Sequence, residues 1–287
     1  MMKEQMMKKL RRLIRRLYRA TMAFVLDVIM MSRLGRFLFE EFLSVLMQRT
    51  RKVTHEGVEL VFAVPNECSW ARADTFSIKE PETLEWVDGM EQGSVVWDIG
   101  ANVGLYSCYA AKRRGCKVYA FEPSVFNLEL LARNILLNDL TEKVVIVPLP
   151  LSDHLSISTL NMSMTYWGGA ISTFGESYTW DGTPLNKVFE FSTVGLSMDD
   201  AMSLLNISQP DYIKMDVDGI EHLILKGGMS VLSKVRGVLI EIDEEFEQQS
   251  ADTFQYLSAA GLELLGKHHS EMFEGTSVFN QIWRRKK

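Results

Sequence analysis

The chain has 287 residues, of which 47% are hydrophobic, and its formal net charge is −6. This composition allows one large domain with a substantial core plus a smaller appendage, and it excludes disorder of the whole chain. The three cysteines are odd in number and lack the spacing of a metal site. A reducing, cytoplasmic compartment is therefore expected, rather than a secreted disulfide framework.

Charge is distributed unevenly along the chain. Residues 1 to 20 contain eight Lys or Arg and one Glu, a net charge of +7, so the remainder carries −13. A body this acidic argues against broad binding to a nucleic-acid backbone, which depends on many cationic contacts to phosphates. Any anionic partner is expected to meet the N-terminal segment.

Residues 10 to 18 have the pattern of a basic amphipathic helix. Apolar residues recur at helical spacing from Leu10 to Tyr18, while arginines that include Arg11, Arg12 and Arg19 occupy the opposite face. One interpretation is a helix that contacts the inner face of a membrane. The favoured interpretation is a helix that packs its apolar stripe on the body. Neither the helix nor the apolar stretch after it is long enough to span a bilayer.

The predicted elements alternate through most of the chain. A second helix is predicted over residues 34–47, a strand over 58–64, and a short helix that begins at Glu80 and Pro81. Helices then separate a series of apolar strands, at residues 95–99, 117–121, 144–149, 212–215 and 238–242, and two late strands follow near 262–265 and 279–283. Such alternation predicts an α/β domain, with helices on both faces of a parallel sheet. The predicted boundaries are 1–50 for a helical extension and 51–287 for this domain.

The strongest chemical signal is the sequence Asp-Ile-Gly-Ala-Asn-Val-Gly at residues 98–104, which follows an apolar strand and opens a helix. Glycines there let the backbone turn tightly and approach a ligand. Glu122 ends the next strand, 22 positions after Gly100, where a carboxylate accepts hydrogen bonds from ribose hydroxyls. Asn102 replaces the second glycine of the dinucleotide-binding pattern. This difference favours a cofactor without a pyrophosphate.

Four blocks of sequence occur in order: Lys-Glu-Pro-Glu-Thr at 79–83, Trp-Asp-Ile-Gly-Ala-Asn-Val-Gly-Leu-Tyr at 97–106, Phe-Glu-Pro at 121–123 and Ile-Lys-Met-Asp-Val-Asp-Gly at 213–219. From about Thr75 to its end, the chain resembles the FkbM-type methyltransferases, a branch of the class I S-adenosylmethionine-dependent enzymes. The resemblance implies a Rossmann-like, mostly parallel sheet of seven strands whose last pair is antiparallel.

The same resemblance implies the cofactor-binding residues. The aminoacid part of S-adenosylmethionine would be surrounded by four residues of the glycine loop: Asp98, Gly100, Asn102 and Gly104. Glu122 would hold the ribose. Ser152 and Asp153 follow the third strand, at the position from which related enzymes contact the adenine amino group. The alternative for these two residues is an ordinary turn, since Ser and Asp favour turns.

A second group of ionisable residues follows the fourth strand. Asp216 and Asp218 come at its carboxyl end, where α/β sheets bind their ligands, and Lys214 should point to the same side. Methyl transfer needs positioning, exclusion of water and removal of the acceptor proton. Asp216 is the first candidate for the base or for a ligand of a divalent cation, and His222 is the second. The alternative for Asp218 is helix capping, beside a solvated Glu221.

Residues 154 to 175 form a stretch of 22 residues without a single Asp, Glu, Lys or Arg. Its Ser, Thr and Gly content predicts a substrate loop beside the cofactor site. Tyr166 and Trp167 would either stack on a sugar ring or anchor the loop to the body.

The sequence therefore predicts an S-adenosylmethionine-dependent O-methyltransferase. Its acceptor would be a hydroxyl of a sugar, polysaccharide or polyketide-like molecule, the range that the FkbM resemblance implies. One alternative is a nucleotide-dependent oxidoreductase on a similar sheet, against which Asn102 argues. Another is a non-catalytic, cofactor-binding protein that docks through its basic helix.

Overall fold

The computed structural model describes residues 2–269 and 274–286 and divides the chain into two units, Met1–Arg49 and Thr50–Lys287. The first unit contains two helices, α1 (Met2–Met30) and α2 (Arg33–Met47). Ser32 caps α2, because its hydroxyl oxygen accepts a 2.8 Å hydrogen bond from the backbone N–H of Gly35. The predicted helix at 34–47 is confirmed, and α1 extends well beyond the predicted residues 10–18.

The predicted basic face of α1 includes Arg11 and Arg12, whose side chains lie outside the described part of the structure. In the part that is described, no helix combines the length and the apolar character needed to cross a bilayer.

The second unit contains the remaining elements. In chain order they are β1 (Thr50–His55), β2 (Val58–Ala63), α3 (Glu67–Asp74), α4 (Pro81–Asp88), β3 (Val95–Ile99), α5 (Leu105–Arg114), β4 (Lys117–Phe121), α6 (Val125–Leu137), β5 (Val144–Val147), β6 (Ser156–Met162), β7 (Ser172–Phe174), β8 (Phe189–Gly195), α7 (Met198–Leu205), β9 (Tyr212–Met215), α8 (Glu221–Lys226), α9 (Met229–Leu232), β10 (Gly237–Asp243), α10 (Glu247–Ala259), β11 (Leu262–His268) and β12 (Val278–Arg285).

The main sheet, as far as residues 2–269 and 274–286 describe it, has seven strands in the order β11-β12-β10-β9-β3-β4-β5. Strands β3, β4, β5, β9 and β10 run parallel to one another. Strand β12 is antiparallel to both of its neighbours, β10 and β11. This is the Rossmann-like, class I architecture that the sequence predicts, with its antiparallel last pair. Strands β3, β4 and β9 begin and end at the predicted residues.

Alternation along β3 builds the core on both faces of the sheet. Trp97 and Ile99 belong to one buried apolar cluster, whereas Val96 belongs to the cluster on the opposite face. Trp97 is fully buried, its ring lies 5.1 Å from that of Phe121, and its indole N–H donates to the carbonyl oxygen of Ser208. The sheet is therefore covered on both sides, and the functional groups lie beyond the carboxyl ends of its strands.

Residues 154 to 175 are not the irregular loop that their composition predicts. Strand β6 pairs antiparallel with both β7 and β8, which forms a separate three-stranded sheet. Ser, Thr and Asn fill the polar positions of β6, and their presence without charged residues is also typical of loops. The pairing partners lie up to 39 residues away, between Ser156 and Gly195, so local composition does not reveal them.

Asn134 of α6 and Asn138, which directly follows this helix, form hydrogen bonds with the outer edge of β2. Asn138 accepts from the N–H of Val61 and donates to its carbonyl oxygen, at 2.9 and 2.8 Å. One turn earlier, Asn134 accepts from the N–H of Ala63 and donates to the carbonyl oxygen of Val103, both at 2.7 Å. The hairpin of β1 and β2 is thereby attached to the helix that borders the glycine loop.

We predict that Asn134→Leu destabilises the second unit without changing its fold. The substitution keeps the number and branching of the side-chain heavy atoms but leaves the buried N–H of Ala63 and carbonyl of Val103 without their partners, at a cost of about 2–5 kcal/mol. Urea unfolding, followed by circular dichroism, measures the change in the free energy of unfolding. The exposed Asn186, changed to Leu, is the matched control and should shift this free energy by less than about 0.5 kcal/mol. Equal stability of the two variants would contradict the role given to Asn134.

Candidate functional site

The glycine loop after β3 is held against the end of β9. Gly100 has φ +84°, and a Cβ atom built on it would lie 1.8 Å from the carbonyl oxygen of Asp216. The N–H of Asp216 donates to the carbonyl oxygen of Ile99 at 3.0 Å. Gly104 has φ +81° and packs its Cα against Leu131, where a Cβ atom would come within 2.4 Å of a side-chain carbon. Glycine is required at both positions because a side chain would push these elements apart.

Glu122 lies at the end of β4 and faces the glycine loop. Its two oxygens accept from the backbone N–H groups of Asn102 and Ser124, each at 2.8 Å. Burial raises the pKa of Glu122 to about 7, although these hydrogen bonds oppose the shift. A carboxylate oxygen has more than one lone pair, so each oxygen can accept a further hydrogen bond from a ligand.

Asp98 is buried at the end of β3. One carboxylate oxygen accepts a 2.5 Å hydrogen bond from the hydroxyl of Ser107, while the other is buried without a partner. Burial raises the pKa of Asp98, and the nearby Lys214 opposes this change. An unpaired buried oxygen is costly unless a ligand donates to it.

Lys214 and Asp216 form a pair at the end of β9. The Lys214 ammonium is buried, lies 3.3 Å from the Asp216 carboxylate, and stands 5.2 Å from the centre of the Tyr106 ring. Burial alone would raise the pKa of Asp216, but Lys214 and Lys79 hold it below its usual value. Asp216 is therefore negatively charged at neutral pH.

Asp218 and Glu221 have structural roles that differ from the predicted helix cap and solvated side chain. Asp218 adopts φ +61° and accepts from the N–H groups of Ile171 and Ser172, at 2.7 and 3.3 Å. Glu221 is buried, not solvated, and its oxygens accept from the N–H groups of Val217 and Gly219. Burial raises the pKa of Asp218 to about 6 and that of Glu221 to about 7. The sequence pattern assumes extended backbone through this segment, with side chains that alternate between the two faces. Asp218 has a left-handed backbone, so this alternation ends there.

Two large cavities meet at Asp216, Gly100 and Asn102. The first has a volume of about 540 Å³, contains the Glu122 carboxylate, and has mostly apolar walls that include Phe121, Leu149, Leu160 and Phe174. The second, of about 820 Å³, opens on the other side of Asp216. Its charged and aromatic lining residues are Arg72, Lys79, Trp180, Asp216, Asp218 and Glu241. A smaller space between them reaches Asp98 and Lys214.

Several residues singled out in the sequence lie outside these cavities. His222 is buried, with its ring 6.0 Å from Phe246 and its Nδ1 unpartnered, and burial lowers its pKa. Ser152 is buried, and its N–H donates to Leu196. Asp153 pairs with Lys226 at 2.8 Å. The structure does not bring these three side chains to Glu122 or Asp216.

Neither aromatic residue of the predicted substrate loop lines these cavities, and Trp167 anchors the loop to the body. The indole N–H of Trp167 donates to Glu129, and the backbone carbonyl of Trp167 accepts from Asn66. The Tyr166 hydroxyl donates to the sulfur of Met164. The aromatic residue that lines the larger cavity is Trp180, which the sequence does not single out, because it lies in a segment with no recognisable motif.

Asn127 and Arg72 are further residues that sequence reasoning misses. The amide N–H₂ of Asn127 and that of Asn102 both donate to the carbonyl oxygen of Gly169, at 3.0 and 2.9 Å. Arg72 reaches the same segment, since its Nε donates to the carbonyl oxygen of Gly168 at 2.8 Å. Asn102 thus connects the glycine loop with the segment before β7.

A metal site has little support from the geometry. Within residues 2–269 and 274–286, no three His, Cys, Asp or Glu side chains are grouped so that they can hold a metal ion. The ammonium group beside Asp216 also opposes binding of a second cation at that carboxylate.

Comparison with known proteins connects this geometry to a chemistry. The family model of the methyltransferase FkbM domain matches residues 98–264, more than half of the chain. The hexuronic acid methyltransferase AglP of Haloferax volcanii is 28% identical over 180 residues. That match covers 60% of this chain and 64% of AglP, so the chain matches less than two thirds of the relative's length.

Solved structures of methyltransferases are similar only at a low level. Precorrin-6y C5,15-methyltransferase from Geobacter metallireducens has a TM-score of 0.43 and 14% identity, over 72% of this chain and 87% of its own. TYW2 of M. jannaschii, solved in complex with AdoMet, has a TM-score of 0.44 and 14% identity, over 83% and 87%.

The match of the FkbM model takes in the glycine loop, Glu122 and Asp216, the same residues around which the cavities meet. It decides against the oxidoreductase alternative. The chain belongs to the FkbM methyltransferase domain family.

Proposed function

We propose that this protein is an S-adenosylmethionine-dependent O-methyltransferase that modifies a hydroxyl group of a sugar. The observation that carries the proposal is the meeting of two cavities at Asp216, one beside Glu122 and the other lined by charged and aromatic side chains. The relative AglP is named for hexuronic acid, which puts sugar acids among the candidate acceptors.

The residues of the smaller cavity fit the proposed cofactor. Its apolar walls suit a flat adenine ring, and the Glu122 oxygens suit the two hydroxyls of a ribose. In the adjoining space, which Gly100 and Asn102 also line, the unpartnered oxygen of Asp98 suits the ammonium group of the aminoacid part. Once bound, the cofactor supplies an electrophilic methyl group on a positively charged sulfur.

The protein would then orient the two substrates, exclude water and provide a proton acceptor. Gly100 and Asn102 form a wall shared by both cavities, which brings donor and acceptor together. The charged Asp216 carboxylate would accept a hydrogen bond from the acceptor hydroxyl and take its proton as the new bond forms. Lys214 holds this carboxylate in place and keeps it ionised.

Glu122→Gln should weaken binding of S-adenosylhomocysteine while the protein remains folded. The measurement is made at pH 8, because Glu122, with a pKa of about 7, is mostly charged there. Gln keeps the size and one accepting oxygen, but it replaces a charged acceptor, a change worth about 1.5–3 kcal/mol or roughly ten- to a hundredfold in Kd. Isothermal titration calorimetry measures the difference, and the exposed Glu85, changed to Gln, is the matched control. An unchanged Kd in folded Glu122→Gln would remove the ribose role.

Asp216→Asn should lower the methyl-transfer rate by about 10²–10⁴ with nearly unchanged cofactor affinity, because Asn accepts no proton at neutral pH. Formation of S-adenosylhomocysteine with a panel of sugars measures the rate, and the exposed Asp139, changed to Asn, should behave as wild type.

Because the pKa of Asp216 is lowered, the wild-type rate should show no loss from this group between pH 8 and about pH 5. Full turnover by Asp216→Asn would transfer the role to Asp218, which lines the same cavity. Inhibition of the wild type by a chelator would instead favour the metal-ligand role.

We also propose that α1 attaches the enzyme to an anionic membrane surface. Leu13, Ile14 and Leu17 are more than half exposed on one face of the helix, and arginines occupy the other. A basic amphipathic helix of this kind lies in the interface, with its apolar face among the acyl chains and its cations near anionic headgroups.

Removal of residues 1–19 should abolish co-sedimentation with vesicles that contain phosphatidylserine and leave the Kd for S-adenosylhomocysteine unchanged. Vesicles of neutral lipid serve as the control for the electrostatic part, because they should retain less of the full chain. Equal sedimentation of the full and the shortened chain would contradict the proposal.

A further inference from the structure

The lining of the larger cavity includes both an aromatic side chain and a cation. The cavity is lined by Trp180, Arg72 and Lys79 in addition to the carboxylates of Asp216, Asp218 and Glu241. Because it shares Asp216 with the cavity that contains Glu122, any molecule bound here presents its groups to the proposed base.

Trp180 is held in position by a tight turn. The N–H of Thr179 donates to the carbonyl oxygen of Thr183, and the Asp181 carboxylate accepts from the N–H of Thr183. The turn packs closely on Gly219, where a Cβ atom would lie 2.7 Å from the carbonyl oxygen of Thr179. The indole nevertheless stays 36% exposed and lines the cavity. A fixed, accessible aromatic face is suited to packing against the C–H face of a sugar ring.

Arg72 lines the larger cavity and is anchored through one of its three guanidinium nitrogens. Its Nε donates to the carbonyl oxygen of Gly168, and its charge acts on both Asp216 and Asp218. No carboxylate in the described part of the chain forms an ion pair with Arg72, whereas Lys79 and Lys214 have Glu80 and Asp216 as partners. The guanidinium geometry matches a planar carboxylate with two parallel hydrogen bonds.

We infer that the larger cavity binds a ring sugar that carries a carboxylate, with Trp180 against the ring and Arg72 paired with the acid group. This inference rests on the proposed function and adds to it the acceptor class and the two residues that select it. A phosphate group offers similar chemistry, but its second negative charge would lie near Asp216, Asp218 and Glu241. The single charge of a carboxylate meets less repulsion, and it is the acid group to which we assign the site.

The test compares three probes with one ring and different substituents: methyl β-glucuronoside, methyl β-glucoside and glucose 6-phosphate. Each is titrated calorimetrically into the full chain, both with and without S-adenosylhomocysteine. The uronoside should bind about ten- to a hundredfold more tightly than the neutral glucoside, as expected for a charge-assisted hydrogen bond. The sugar phosphate should bind more weakly than the uronoside.

Arg72→Gln should abolish this preference by weakening the uronoside alone, with the glucoside and S-adenosylhomocysteine unaffected. Trp180→Leu should weaken uronoside and glucoside alike, by about two- to tenfold. Arg133→Gln is the matched control, because Arg133 pairs with Glu129 on the surface of α6 and does not line the cavity.

Equal binding of the acidic and neutral sugars, or binding of neither, would overturn the inference. So would an Arg72→Gln variant that weakens both sugars or the cofactor product to the same extent, since Arg72 would then act only as an anchor for Gly168. Stronger binding of the sugar phosphate than of the uronoside would also overturn it, because the site would then select a phosphate and not a carboxylate. A failure of the proposed function would appear instead as a loss of S-adenosylhomocysteine binding by the wild-type protein. The two failures can be distinguished because the sugar preference is also measured in the absence of S-adenosylhomocysteine.

Discussion

The buried ammonium group of Lys214 is the interaction on which the site depends. It lies between two carboxylates, those of Asp98 and Asp216, at the ends of the neighbouring strands β3 and β9. Burial would by itself lower the pKa of Lys214, yet the two acids hold it above its usual value. Without this positive charge, the buried carboxylate of Asp98 and the part-buried carboxylate of Asp216 would have no cation between them to offset their like charges.

The same balance of charge and burial gives the carboxylates at the strand ends different pKa values. Asp216 has two lysines nearby and stays ionised, whereas Glu122 accepts hydrogen bonds from neutral backbone N–H groups, and burial raises its pKa to about 7. Environment, and not residue type, therefore separates a charged group at the junction of the cavities from a group that is readily neutral in the smaller one.

Local signals predicted the parts of the structure that local physics determines. The glycine loop, β3 and β4 follow from short-range sterics and hydrogen bonds, and each is found where the sequence indicates. The small sheet of β6, β7 and β8 depends on distant pairing, so its composition misleads. His222 follows the site in sequence, but it lies in the first turn of α8 and packs on Phe246. Trp180 reaches the cavity only through the turn that packs on Gly219.

Asn134 and Asn138 cover a strand edge that could otherwise cause aggregation. A strand edge with free N–H and C=O groups can pair with another chain, and β2 has β1 on only one side. Asn134 and Asn138 occupy the other side as a short imitation of a neighbouring strand. These two asparagines therefore also protect an edge from self-association, and local opening of α6 would expose that edge to β-pairing with another chain.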